Sequence, residues 1–154
     1  MSMVVIDNRT DEALPLEEYR DFSLFILEQQ GVQENTELAI SYVDTVEMRS
    51  LNHQYRGLDE ATDVLSFPCD ELDDIGEECL HEDLFLLGDL IIAPSVAREH
   101  AEEFDSTFEE EMLLMHVHGI LHLLGFDHET DAAYHKMRKS ESELLAAWAL
   151  KGVS

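Results

Sequence analysis

Hydrophobic positions change period along the chain, and each change predicts a change of element. Met3-Val4-Val5-Ile6 is a short apolar, partly β-branched run and reads as a strand over 3–8. From Pro15 the spacing turns helical: Leu16, Tyr19, Phe22, Leu24, Phe25, Ile26 and Leu27 recur until Gly31, predicting a helix over 15–30 with Pro15 in its first position. Residues 37–44 alternate Leu38, Ile40 and Tyr42 with Glu37, Ala39 and Ser41, the two-residue period of a half-buried strand. A short helix is expected over 45–55, a strand over 64–67 closed by Pro68, and a longer buried strand over 84–93. Pro94 then opens a helix to about 104. Ser106 and Glu109 have capping-box spacing ahead of a helix over 107–124. Its Phe108, Met112, Leu113, Met115, Val117, Ile120, Leu121 and Leu124 make it apolar nearly all round, which predicts a central helix. A final helix over 131–148 places Tyr134, Met137, Leu144, Leu145 and Trp148 on an apolar side and leaves Lys136, Arg138 and Lys139 exposed. Strands followed by a run of helices predict an α+β fold, with helices packed on a sheet of about four strands. No repeat or linker divides the 154 residues, so one domain over 1–154 is expected.

Charge adds a constraint. The chain carries 35 acidic against 9 basic side chains, a formal net charge of −26, and a field of that sign repels polyanions. Eight of the acidic residues fall in 70–83, with no Lys or Arg among them, and this stretch is expected to be a loop. Cys69 and Cys79 are too few for a disulfide framework, and their spacing matches no common zinc pair. The first residues show no basic segment followed by a long apolar run, and no stretch reaches eighteen apolar residues. A soluble cytoplasmic protein is therefore expected, with no membrane partner.

The chemistry concentrates in His118-Gly119-Ile120-Leu121-His122-Leu123-Leu124-Gly125-Phe126-Asp127-His128. Residues four apart share a helix face, so His118 and His122 can turn their rings to one ion. Gly125 can take a left-handed conformation, end the helix and bring His128 back as a third ligand. Three neutral imidazoles suit Zn2+, one per chain, with a fourth position left open as in catalytic rather than structural zinc sites. The site is thus expected at the end of the central helix. The spacing equals the metzincin pattern except that Gly119 stands where a metalloprotease has its glutamate base, which disfavours peptidase chemistry by the usual route. His116 lies two residues from His118 and faces elsewhere; His53, His81, His100 and His135 are weaker candidates still. Asp127, beside the third ligand, is a candidate for orienting a ligating imidazole, with helix or turn capping as the equal alternative.

The same segment resembles the signature of the YbeY endoribonucleases, in which a tyrosine usually stands at the position of Phe126. Leu51-Asn52 through Tyr55-Arg56-Gly57, Thr62-Asp63-Val64-Leu65-Ser66-Phe67-Pro68 and Leu87-Gly88-Asp89 follow the family's order and spacing, over roughly residues 40–130. Ala61 departs from the proline usual before the second of these. The resemblance implies a zinc-dependent, single-strand-specific endoribonuclease acting in small-subunit ribosomal RNA 3′-end maturation and ribosome quality control. Its partners would be precursor rRNA and the ribosome or its assembly proteins, with no DNA. It also places the family's arginine at Arg56, where a guanidinium would hold a phosphate and offset charge on its oxygens. The rival readings are a noncatalytic assembly factor whose zinc stabilises the fold and a zinc peptidase with an atypical base.

Overall fold

In the computed structural model, which describes residues 2–32, 34–69, 80–81 and 84–153, the four predicted strands and one short unpredicted strand assemble into one mixed sheet. They are β1 (Met3–Asn8), β2 (Thr36–Tyr42), β3 (Val64–Pro68), β4 (Leu80–His81) and β5 (Leu84–Ile92). The sheet order is β1-β2-β5-β3, with β4 pairing β5 off that path. β1 and β5 run parallel to β2, whereas β3 and β4 run antiparallel to β5. Parallel neighbours need a long crossover, and α1 (Leu16–Gln29) supplies the one between β1 and β2. The remaining helices are α2 (Thr45–Arg56), α3 (Pro94–Glu103), α4 (Phe108–Leu123) and α5 (Asp131–Val153). Of the expected acidic loop, residues 70–79, 82 and 83 lie outside the described residues; Leu80–His81 are strand, not loop.

Alternation in the strands decides which face the helices cover. Leu38, Ile40 and Tyr42 of β2, Val4 of β1, and Leu90 and Ile92 of β5 are buried on one face. There they meet Phe22 and Ile26 of α1, Met112 and Ile120 of α4, and Met137 and Leu144 of α5 in a single core. Trp148 closes its edge, its ring 5.2 Å from Phe22 and 5.3 Å from Phe25. A smaller cluster of Val43, Met48, Leu65, Phe67, Ala93 and Val96 packs α2 and α3 onto the β3 side. Among the described residues no helix is long and apolar enough to cross a membrane.

Helix ends differ from expectation in two places. Pro15 caps α1 rather than starting it, while Gly31 (φ 67°) ends it as the pattern predicts. Thr107, not Ser106, caps α4 by accepting the Glu110 N–H at 3.0 Å; the Ser106 hydroxyl is spent on the Glu111 carboxylate. α5 runs to Val153, past the predicted 148, and Tyr134, assigned to its apolar side, is 46% exposed.

One polar group sits deep in the core. The His116 ring is fully buried between the Tyr42 hydroxyl, which donates to Nε2 at 2.6 Å, and the Met112 carbonyl, which accepts from Nδ1 at 2.6 Å. Both nitrogens are satisfied in the neutral form, and burial lowers its pKa to about 4. His116 is thereby a core group with both ring nitrogens engaged, facing away from the neighbouring histidines.

Candidate metal centre

α4 is positioned by what its sheet-facing side lacks. A Cβ on Gly119 would stand 2.2 Å from Leu90 Cδ1, 3.1 Å from Val64 Cγ2 and 3.2 Å from Ser66 Oγ, so only glycine lets the helix lie this close to β3 and β5. The Ser66 hydroxyl donates to the Gly119 carbonyl at 3.0 Å and pins the contact. The position that carries glutamate in a metalloprotease is thus pressed into the sheet.

The histidines flank this contact on the same turns, His118 one residue before Gly119 and His122 three after it. Gly125 (φ 101°) ends the helix as the sequence predicts, with its N–H bonded to the His122 carbonyl and the Phe126 N–H to the Leu121 carbonyl. The chain therefore folds back, and the structure brings His118, His122 and His128 together. Ring centroids are 4.7 Å apart for His118 and His122, 5.3 Å for His122 and His128, and 6.3 Å for His118 and His128. As the side chains stand, no group of three His, Cys, Asp or Glu donors among the described residues is already closed around one ion position. The rings are gathered, and their nitrogens are not yet aimed at a common point.

Two electrostatic features bear on these rings. His118 donates from Nδ1 to the Glu141 carboxylate of α5 at 2.8 Å, which leaves Nε2 as the nitrogen not engaged by that bond. Glu141 is only 3% exposed, and a buried carboxylate needs such a partner. The sequence reading missed it because it lies 23 residues away on another helix; an acidic residue in the otherwise apolar stripe of α5 was the available signal. Burial first, and then repulsion from His118 and His128, lower the pKa of His122 from the ordinary imidazole value against the opposing pull of Glu141. Asp127 takes the capping role, one of the two open to it from the sequence: its carboxylate accepts the Glu129 N–H at 3.1 Å, and it lines the cleft beside the histidines.

Arg56 shares the cleft. α2 is capped at Asp44, which accepts the Glu47 N–H, and ends where Gly57 turns left-handed (φ 73°), so Arg56 is its last residue. Its Nη2 donates to the Ser66 carbonyl at 3.1 Å, and its guanidinium lies 5.8 Å from the Phe67 ring centre. The buried Asn52 side chain donates to the Glu60 carbonyl at 2.9 Å, and Arg49 holds Asp59 through both oxygens, so the loop after α2 is tied down as a cleft wall. A cavity of about 540 Å³ results, lined by Arg56, Ser66, His118, His122, Asp127 and His128 among others.

A family model described as endoribonuclease YbeY matches residues 5–149. The protein named endoribonuclease YbeY from Thermoanaerobacter sp. strain X514 is 42% identical over 151 residues, spanning 93% of this chain and 95% of its own. The protein of the same name from Bacillus cytotoxicus is 36% identical over 157 residues, spanning 98% and 99%. The solution structure of a Thermotoga maritima protein is similar over 97% of this chain and 93% of that one, with a TM-score of 0.62 and 30% identity.

Proposed function

The chain belongs to the endoribonuclease YbeY family, and from that membership we propose that it is a zinc-dependent endoribonuclease specific for single-stranded RNA. Its place would be in the cytoplasm, in 3′-end maturation of small-subunit rRNA and ribosome quality control, working with the ribosome or its assembly proteins. The observation that carries this proposal is the common cleft: three histidines from the end of α4 and the turn after it face one cavity with an arginine from the end of α2.

His118, His122 and His128 would hold the ion. Their chemistry fits zinc, since all are imidazoles, the surroundings of His122 lower its pKa, and His118 is oriented by a carboxylate on its far nitrogen. Zinc held there would supply Lewis-acid polarisation of a phosphoryl oxygen. Arg56 would bind the scissile phosphate: one of its five N–H donors is spent on Ser66, and the rest are free to form a two-pronged grip. Glu141 acts at one remove, fixing the tautomer and direction of His118.

Gly119 argues against the peptidase alternative in geometric terms. A glutamate at that position would have its Cβ inside the van der Waals shell of Leu90, so it could be placed there only by displacing the core. The deciding experiment offers purified protein a single-stranded RNA, its duplex and a peptide library, with zinc removed by chelation and then restored. Zinc-restored cleavage of the single strand alone is expected. His118→Ala, His122→Ala and His128→Ala should each lose both metal and cleavage, and Arg56→Ala should lose cleavage while keeping stoichiometric zinc. Full cleavage in metal-free protein, or stoichiometric zinc without His128, would remove the zinc assignment.

A further inference from the structure

The metal centre has a second concavity beside it. A cavity of about 310 Å³ opens on the α5 side and shares His118 and His128 with the Arg56 cleft; its other walls are Tyr134, Met137, Arg138 and Glu141. That volume is at the small end of ligand pockets. Tyr134, Arg138 and Glu141 are spaced four and three apart, so one face of α5 presents an aromatic ring, a guanidinium and a carboxylate in a row. The carboxylate is engaged by His118, whereas the ring is 46% exposed.

A census of cations singles out the same place. Arg9, Arg20, Arg49, Arg98 and Lys139 each have a carboxylate partner. Lys136 lies over the Phe126 ring at 5.5 Å. Among the described residues, Arg56 and Arg138 are the arginines with no carboxylate within ion-pair distance, and each lines a cavity that reaches His118. In a chain of net charge −26, these two arginines stand on either flank of one site, each without an ion-pair partner among the described residues, although Asp63, Glu111 and Glu141 share a further cavity with Arg138.

We propose that Tyr134 and Arg138 form a second nucleotide subsite, in which Tyr134 stacks the base of a nucleotide neighbouring the scissile phosphate and Arg138 takes that nucleotide's phosphate. The inference rests on RNA being the substrate of the adjoining cleft. An exposed aromatic beside an arginine is the general means of gripping an unpaired nucleotide, since every base has a face to stack. A base within a duplex is already stacked on both sides and cannot be taken this way, so the subsite would itself select single strands.

The test is binding of a fluorescent single-stranded 2′-O-methyl phosphorothioate oligonucleotide, which resists turnover, to zinc-loaded protein by anisotropy. Arg138→Ala and Tyr134→Ala are expected to weaken Kd about tenfold each, the range seen when a stacking side chain is removed. Tyr134→Phe keeps the ring and should bind as wild type. Lys139→Ala, a paired cation on the same helix, should also bind as wild type, and all four variants should retain zinc and thermal stability. If wild type binds and Arg138→Ala and Tyr134→Ala match it, the subsite is overturned while the RNA assignment stands. An equal loss in Lys139→Ala would also overturn it, reducing the effect to overall charge. If wild type binds no RNA, the functional proposal fails first and the subsite with it.

Discussion

Glu141 and His116 show how differently two buried polar side chains can be used. Glu141 is held for the sake of a neighbour: its carboxylate accepts from His118 Nδ1 at 2.8 Å. Glu141→Gln retains an oxygen able to accept that bond but loses the negative charge that makes the imidazole a stronger donor to metal. Zinc affinity should therefore fall about 10- to 100-fold, read by chelator competition, while urea stability of the metal-free protein changes little. His116 is held for the core. Its folded pKa of about 4 lies below the unfolded value of 6.5, so below pH 6.5 the unfolded chain binds the proton that the folded chain refuses. Stability of the metal-free protein is full above pH 6.5, declines as pH falls through the window between these values, and has lost roughly 3 kcal/mol at its lower end. Denaturant titrations at several pH values would show this, and a Tyr42→Phe, His116→Phe double variant should flatten the slope. His118, His122, His128 and Arg56 could be proposed from the sequence because local spacing and family motifs mark them, and the structure gathers them around one cavity. Glu141 was not, because its bond to His118 depends on how α5 packs across α4, and no periodicity encodes that. Asp127 was legible as an acid beside a ligand, yet proximity in sequence did not predict which group its oxygens would meet.

At the scale of elements, two glycines set how closely strands and helix approach. Gly119 lets α4 rest on Leu90 and Ser66; Gly119→Ala would force the Leu90 side chain aside in a filled core and should cost about 1–3 kcal/mol in urea unfolding. Gly88 is stricter. A one-residue irregularity between β2 and β5 skips Leu87, and Gly88 adopts φ 149° there, where a Cβ would lie 2.4 Å from the Phe67 carbonyl oxygen. Backbone cannot move aside as a side-chain tip can, so Gly88→Ala should destabilise more than Gly119→Ala. Element positions followed from period and punctuation: the helix ends at Gly31 and Gly125 fall where the glycines predict. What escaped was tertiary. Thr107 outcompetes Ser106 as the cap of α4 because the Ser106 hydroxyl is already bonded to Glu111, and Tyr134 leaves the apolar stripe because a cavity lies beside it. Strand order depends on long-range pairing, so parallel β2 and β5 with β3 returning alongside could not be read from alternation.

For the whole molecule, the unusual quantity is a net charge of −26 in a protein proposed to act on RNA. An ordinary basic nuclease loses affinity steeply with salt because phosphates release counterions. Here, among the described residues, Arg56 and Arg138 are the arginines unpaired at the site, while long-range repulsion opposes approach and is screened over about 8–10 Å near physiological ionic strength. Cleavage of single-stranded RNA at fixed zinc occupancy should therefore vary weakly with monovalent salt or rise over the moderate range; a steep monotonic fall would contradict this account. The turn at Gly125 has a consequence of another kind, in the order of assembly. All three histidines fall within residues 118–128, whereas the central pairing of β2 with β5 joins Thr36 to Phe85, 49 positions apart. Closing a short segment costs little chain entropy, and distant strand pairing is slow. Helix and turn can thus present a metal-capturing hairpin of imidazoles before the sheet is complete, with Glu141 arriving only when α5 docks. Zinc added at the start of refolding should be taken up in a fast, weak phase and tightened in a later one, and stopped-flow refolding with a zinc-sensitive dye would resolve the two.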